Sequence, residues 1–157
     1  MTRTAATALA AVTLIVIAQP NVQRSEPSYE AQAISALRAI ASAQAAYAAA
    51  NGGYATSLKA LAAACSHDSL GFVSPDLAHD PAIKGRYEIS VQPVRGAEGP
   101  VDCNGVMTSA AYYASARPVG TPLRAFATDQ SGIMWYDTTG VPPKPPFTES
   151  NSTKPLR

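Results

Sequence analysis

The sequence predicts an α+β fold, a long N-terminal helix packed on a three- to four-stranded antiparallel sheet, and three observations carry that expectation. From Ser28 to Asn51 the apolar side chains recur at three- and four-residue spacing, the period of a helix with one buried face. "RYEISVQP" alternates Tyr87, Ile89 and Val91 with polar residues, the period of a half-buried strand. Short segments carrying the aromatics Tyr112, Tyr113, Phe126, Trp135 and Tyr136 then follow one another, separated by turn formers.

The chain begins with Arg3 and a run of apolar or small residues from Ala5 to Ala18 that stops at Gln19-Pro20. A spanning helix needs about 20 apolar residues, so this run is short for one. Val16 and Ala18 are small residues where a signal peptidase reads them, and cleavage after Ala18 is the first expectation. The competing expectation is a short, uncleaved membrane anchor with a break near Pro20. Residues 1–18 are thus a signal peptide or short anchor, residues 19–139 the folded domain and residues 140–157 a tail.

After this joint, Ser25 or Ser28 is placed to cap a helix whose positive end Glu26 and Glu30 favour. Its stripe assigns Ile34, Leu37, Ile40 and Tyr47 to the core between helix and sheet. Gly52-Gly53 stops it, because glycine takes the left-handed conformation without steric cost. Alanines on the remaining surface leave a slim flank that a second helix could approach closely; alanine's helix propensity explains the same residues without any partner.

"ATSLKALAAAC" is expected to form a short helix started by Thr56 or Ser57, with Leu58 and Leu61 inward and Cys65 at its end. Turn formers make "SHDSLGFVSPDLAHDPAIKG" a loop, followed by the strand that contains Tyr87 and ends at Pro93. A second loop, "VRGAEGPVDCNG", carries Cys103. "SAAYYASARPV" and "LRAFATD" supply further strands, and "QSG" turns the latter into "IMWYD" as a hairpin. The closing "GVPPKPPFTESNSTKPLR" combines five prolines with polar residues and no periodicity, and is expected to be an extended or disordered tail.

A single disulfide between Cys65 and Cys103 is the expectation for an exported chain with an even cysteine count; two buried thiols are the alternative for a cytosolic one. The formal net charge of +1, with no run of like charges, gives nucleic acid no electrostatic footprint. His67 and His79 share one loop, and with Cys65 they make too loose a set for zinc. No Gly-x-Ser-x-Gly turn and no glycine-rich phosphate loop occurs, so neither a catalytic residue nor a cofactor is assigned. Asp129 and Asp137 alone are a thin supply of oxygens for calcium, which takes six to eight. Tyr112 and Tyr113, being adjacent on a strand, must face opposite sides.

Several of these residues together resemble the type IV pilins and type II secretion pseudopilins. The resemblance rests on the Pro20-Asn21 joint, Ser35-Ala36-Leu37-Arg38, Ala43-Gln44, Tyr47, Gly53-Tyr54, Leu58, Leu61 and the Thr128-Asp129-Gln130-Ser131-Gly132 turn, and spans residues 20 to 137. It implies a long helix lying across an antiparallel sheet, and an extracytoplasmic structural subunit that associates with itself or with other pilin-like subunits. The family's glycine before the processing site and the glutamate soon after it are absent: the first glycine here is Gly52 and the first acidic residue Glu26. A pilin-like domain that has lost its assembly helix, or a misassigned start codon, gives this pattern. The expectation is therefore a non-enzymatic, secreted, periplasmic or cell-surface subunit, with membrane contact only through residues 1–18. A soluble binding module of the same fold that does not polymerise is the alternative.

Overall fold

The computed structural model describes residues 28–65, 70–120 and 123–157. The expected signal peptide or anchor, the Pro20-Asn21 joint and His67 lie outside these residues. Helix α1 spans Tyr29–Asn51 and begins where the Ser28 hydroxyl accepts the Ala31 N–H at 3.2 Å, with Glu30 in the first turn. It ends at Gly52, whose φ of 77° lets its N–H return to the Ala48 carbonyl at 2.8 Å. Helix α2, Leu58–Ala62, is capped by Ser57, whose hydroxyl accepts the Ala60 N–H at 3.1 Å.

A 3-10 turn, Pro75–Leu77, follows, and the other regular structure among the described residues is an antiparallel sheet of six strands and a separate two-stranded ribbon. The strands are β1 (Ala82–Lys84), β2 (Tyr87–Pro93), β3 (Glu98–Val101), β4 (Met107–Ser109), β5 (Tyr112–Pro118), β6 (Ala125–Asp129), β7 (Trp135–Asp137) and β8 (Thr153–Pro155). The sheet runs β1-β2-β5-β6-β7-β8 and the ribbon pairs β3 with β4. The architecture is α+β, and α1 lies across β1, β2, β5 and β6.

The core is the seam between α1 and the inner sheet face. Leu37, Ile40 and Tyr47 are buried against Tyr87, Ile89, Val91, Tyr112 and Phe126, while Ile34 is half-buried at the margin. Ala33, Ala36 and Ala43 meet a sheet face carrying Ala114 and Ala116, so the small residues on both layers allow close approach. Gln44 is a fully buried polar residue of this seam. Its Nε2 donates to the Ala55 carbonyl at 2.9 Å and its Oε1 accepts the Ala55 N–H at 2.8 Å, a two-point clamp that fixes the chain after α1. Gln44→Leu leaves both backbone groups buried without partners, and a loss of about 2–4 kcal/mol in a chemical denaturation curve is expected. An unchanged midpoint would show that water replaces the clamp.

The sheet has six strands where the sequence led us to expect three or four. Strands β1 and β8 are each three residues long, too short for alternation to register, and β3 contains Gly99 and Pro100. The expected disordered tail is also corrected, because residues 153–155 return to pair with β7. Side-chain bonds rather than periodicity organise this segment. The buried Asp137 carboxylate accepts the Thr139 N–H at 2.7 Å and hydroxyl hydrogens from Thr139, Ser152 and Thr153 at 2.5, 2.9 and 2.5 Å. Phe147 stacks on Trp135 with ring centroids 5.5 Å apart and lies 6.5 Å from Tyr113, covering the outer sheet face.

Burial pushes the Asp137 carboxyl up, but the bonds from Thr139, Thr153 and Ser152 outweigh it and hold its pKa at about 2. A carboxyl lowered on folding stabilises the protein above the unfolded-chain value of about 3.9, and that stabilisation is lost as pH falls towards about 2. Asp137→Asn is therefore expected to melt below the parent at neutral pH, with the gap closing across that acid window. Thermal melts at a series of pH values check this; a gap independent of pH would contradict it.

Candidate interaction surface

Helix α1 is fixed at both ends. At its C-terminal end the Tyr47 hydroxyl donates to the Asp102 carboxylate, which also accepts the N–H groups of Asn104 at 2.9 Å and Val106 at 2.7 Å. Burial pushes the Asp102 carboxyl up, yet these donors hold it below the usual carboxylate range. Burial, reinforced by Asp102, pushes the Tyr47 phenol well above its ordinary value, so the pair is phenol and carboxylate at neutral pH. Asn51 adds a bridge, donating to the Tyr47 carbonyl at 3.1 Å and accepting the Cys103 N–H at 3.3 Å.

Cys65 and Cys103 form the disulfide expected from the sequence, with Cα atoms 5.5 Å apart, and tie the chain beyond α2 to the tip of the β3–β4 ribbon. A disulfide fits an oxidising compartment. No described helix is long and apolar enough to cross a membrane. At the other end of α1, Glu30 accepts from Arg124 Nη2 at 2.6 Å and Nε at 3.1 Å. Both anchors hold α1 in one orientation on the sheet.

The outward face of this fixed helix is made of small residues. Ser35, Ala39, Ser42, Ala46 and Ala49 are all exposed and follow one another at steps of four, three, four and three. That is the spacing of a helix–helix seam. Ala31, Ala45 and Ala50 flank it, and Arg38 is the charged residue on the exposed surface.

Of the sequence-derived chemical candidates, His67 lies outside the described residues, and the described His79, Asp129 and Asp137 do not come together. His79 is an exposed loop residue, and among the described residues no three His, Cys, Asp or Glu side chains group as a metal site. Asp137 stands opposite Ala125 at one end of β6, whereas Asp129 ends that strand and accepts the Ser131 N–H at 2.9 Å within the turn. On the outer sheet face a groove of about 260 Å³ runs between Ser90, Gln92, Tyr113 and Ser115 on the strands and Pro142 and Lys144 on the returning C-terminal segment. Tyr112 is buried on the opposite face from Tyr113, as adjacency on one strand requires.

Sequence reasoning passed over Asp102 and the clamp of Gln44. Asp102 had a readable signal, since "DCNG" places an aspartate where its carboxylate can bond backbone N–H groups of the turn that follows. Gln44 had a weaker one, a long polar side chain on an otherwise apolar stripe. No family model, curated protein or solved structure matches this chain.

Proposed function

We propose that this chain is a pilin-like, extracytoplasmic structural or interaction subunit without enzymatic activity, and that the outward face of α1 packs against neighbouring copies or other pilin-like subunits. The supporting observation is the run of exposed Ser35, Ala39, Ser42, Ala46 and Ala49 at helix-seam spacing on a helix pinned at both ends. A helix whose outer face meets only water ordinarily carries charged and long polar residues there. Small residues let two backbones approach within the short interaxial distances of close helix packing, and a fixed helix loses little freedom on docking. The type IV pilus and the type II secretion pseudopilus are the assemblies whose subunits the residue pattern resembles, and the apolar run at residues 5–18 is the tether in this reading.

The polar groove beside Pro142 and Lys144 favours a second reading, a secreted binding module that stays monomeric. Intact mass of the protein recovered separately from membranes and medium of its native host discriminates the two. The subunit reading expects a chain that retains the apolar run, in membranes or sheared filaments. A mass beginning at Gln19 in the medium would reject the tether and leave the binding module.

A further inference from the structure

The linear sequence has no basic run, but the fold gathers cations at one pole. Beside the first turn of α1 lies a cleft of about 470 Å³ lined by Arg124, Lys154 and Arg157, with Tyr136 on its wall and Glu149 as its acidic residue. Arg124 is oriented rather than free. Glu30 holds its guanidinium, whose carbon stands 4.9 Å from the Tyr136 ring centroid and 5.6 Å from that of Phe126. Lys154 pairs with Tyr136 across β7 and β8, so both side chains lie on the same sheet face. Lys154 and Arg157 are not in ion pairs among the described residues, in contrast to Lys84 with Asp76, Arg117 with Glu88 and Arg124 with Glu30. On the other flank of the same helix end, Arg86 stands 5.8 Å over the ring of Tyr29, which is 48% exposed.

We propose that this pole is a binding site for anionic phospholipid headgroups. Lys154 and Arg157 donate to lipid phosphate oxygens, Arg124 walls the cleft with its charge offset by Glu30, and Tyr29 lies at the level of the headgroups, where amphipathic rings concentrate. The inference rests on the tether reading, because it uses where the tether joins. Residues 19–27 separate the apolar run from Ser28, and that many residues span at most roughly 30 Å. A bilayer-inserted run therefore keeps this pole within roughly 30 Å of the surface, and attraction between exposed charges, which acts over about 8 Å at physiological salt, holds it there on contact. The cleft extends membrane contact beyond residues 1–18 and orients the domain with α1 rising from the surface.

The test uses the full-length chain and sedimentation with phosphatidylcholine vesicles, with and without a third of phosphatidylglycerol. Binding to neutral vesicles reports the tether alone. Anionic lipid is expected to tighten binding, and the K154Q/R157Q double variant to lose roughly 30-fold of that gain, at about fivefold per basic residue near an anionic surface. Its binding to neutral vesicles and its melting temperature are expected to stay those of the parent. An equal gain in parent and double variant would overturn the site. Capture of soluble polyglutamate without any gain on anionic vesicles would overturn it in favour of an acidic protein partner. Failure of the tether reading shows separately, as absence of binding to neutral vesicles.

Discussion

Leu37→Asp is expected to abolish the folded state. Leu37 is fully buried at the centre of the seam between α1 and the sheet, in the same cluster as Ile40, Tyr87, Ile89 and Phe126. Truncating such a residue to alanine costs about 2–5 kcal/mol through lost transfer free energy and the cavity left behind. An aspartate adds the penalty of a carboxyl with no donor nearby, several kcal/mol whether it stays charged or takes up a proton. A domain of this size has about 5–15 kcal/mol in total, so the sum reaches or exceeds the whole margin. Circular dichroism on heating should give no cooperative transition. A variant melting like the parent would refute the placement of Leu37, and with it the packing of α1 on the sheet.

The second large effect comes from the disulfide. Cys65 and Cys103 are separated by 38 positions, and closing a loop of that size removes enough unfolded-state entropy to stabilise the fold by about 4 kcal/mol under the chain-entropy model. Cys65→Ser is thus expected to melt roughly 15 °C below the oxidised parent, taking a few degrees per kcal/mol for a domain of this length. Reductant should lower the parent to the level of the variant and leave the variant where it was. An equal drop in both would remove the bridge from the account. The loss should be felt first around the β3–β4 ribbon, where Asp102 holds Tyr47, rather than in the sheet.

How much of this was legible in the sequence depended on length and on the kind of force involved. Helix α1, its Ser28 and Gly52 ends, strands β2 and β5 and the β6–β7 hairpin all span enough residues for a period or a turn signal to show. Strands β1 and β8 do not, because three residues cannot display an alternation. The C-terminal segment read as disordered because its prolines remove backbone donors, yet Asp137, Ser152, Thr153 and Phe147 secure it through side chains placed far apart in the chain. The same limit hid the cleft at the first turn of α1, since Arg124, Lys154 and Arg157 come together only through sheet order. The alanine flank is legible in the sequence as a slim, exposed surface, for which alanine's helix propensity accounts as well as a packing partner does.

Cysteine cross-linking tests most directly whether α1 packs against a neighbour. A single Ala46→Cys substitution lies within the seam on the exposed face of α1. In membranes of cells expressing the full-length protein at native level, mild oxidation is expected to convert this variant into covalent dimers. Thr148→Cys, exposed on the C-terminal segment, should remain monomeric under the same conditions. Monomer alone from Ala46→Cys, with the protein folded and present in those membranes, would contradict the account and leave the outward face of α1 to solvent.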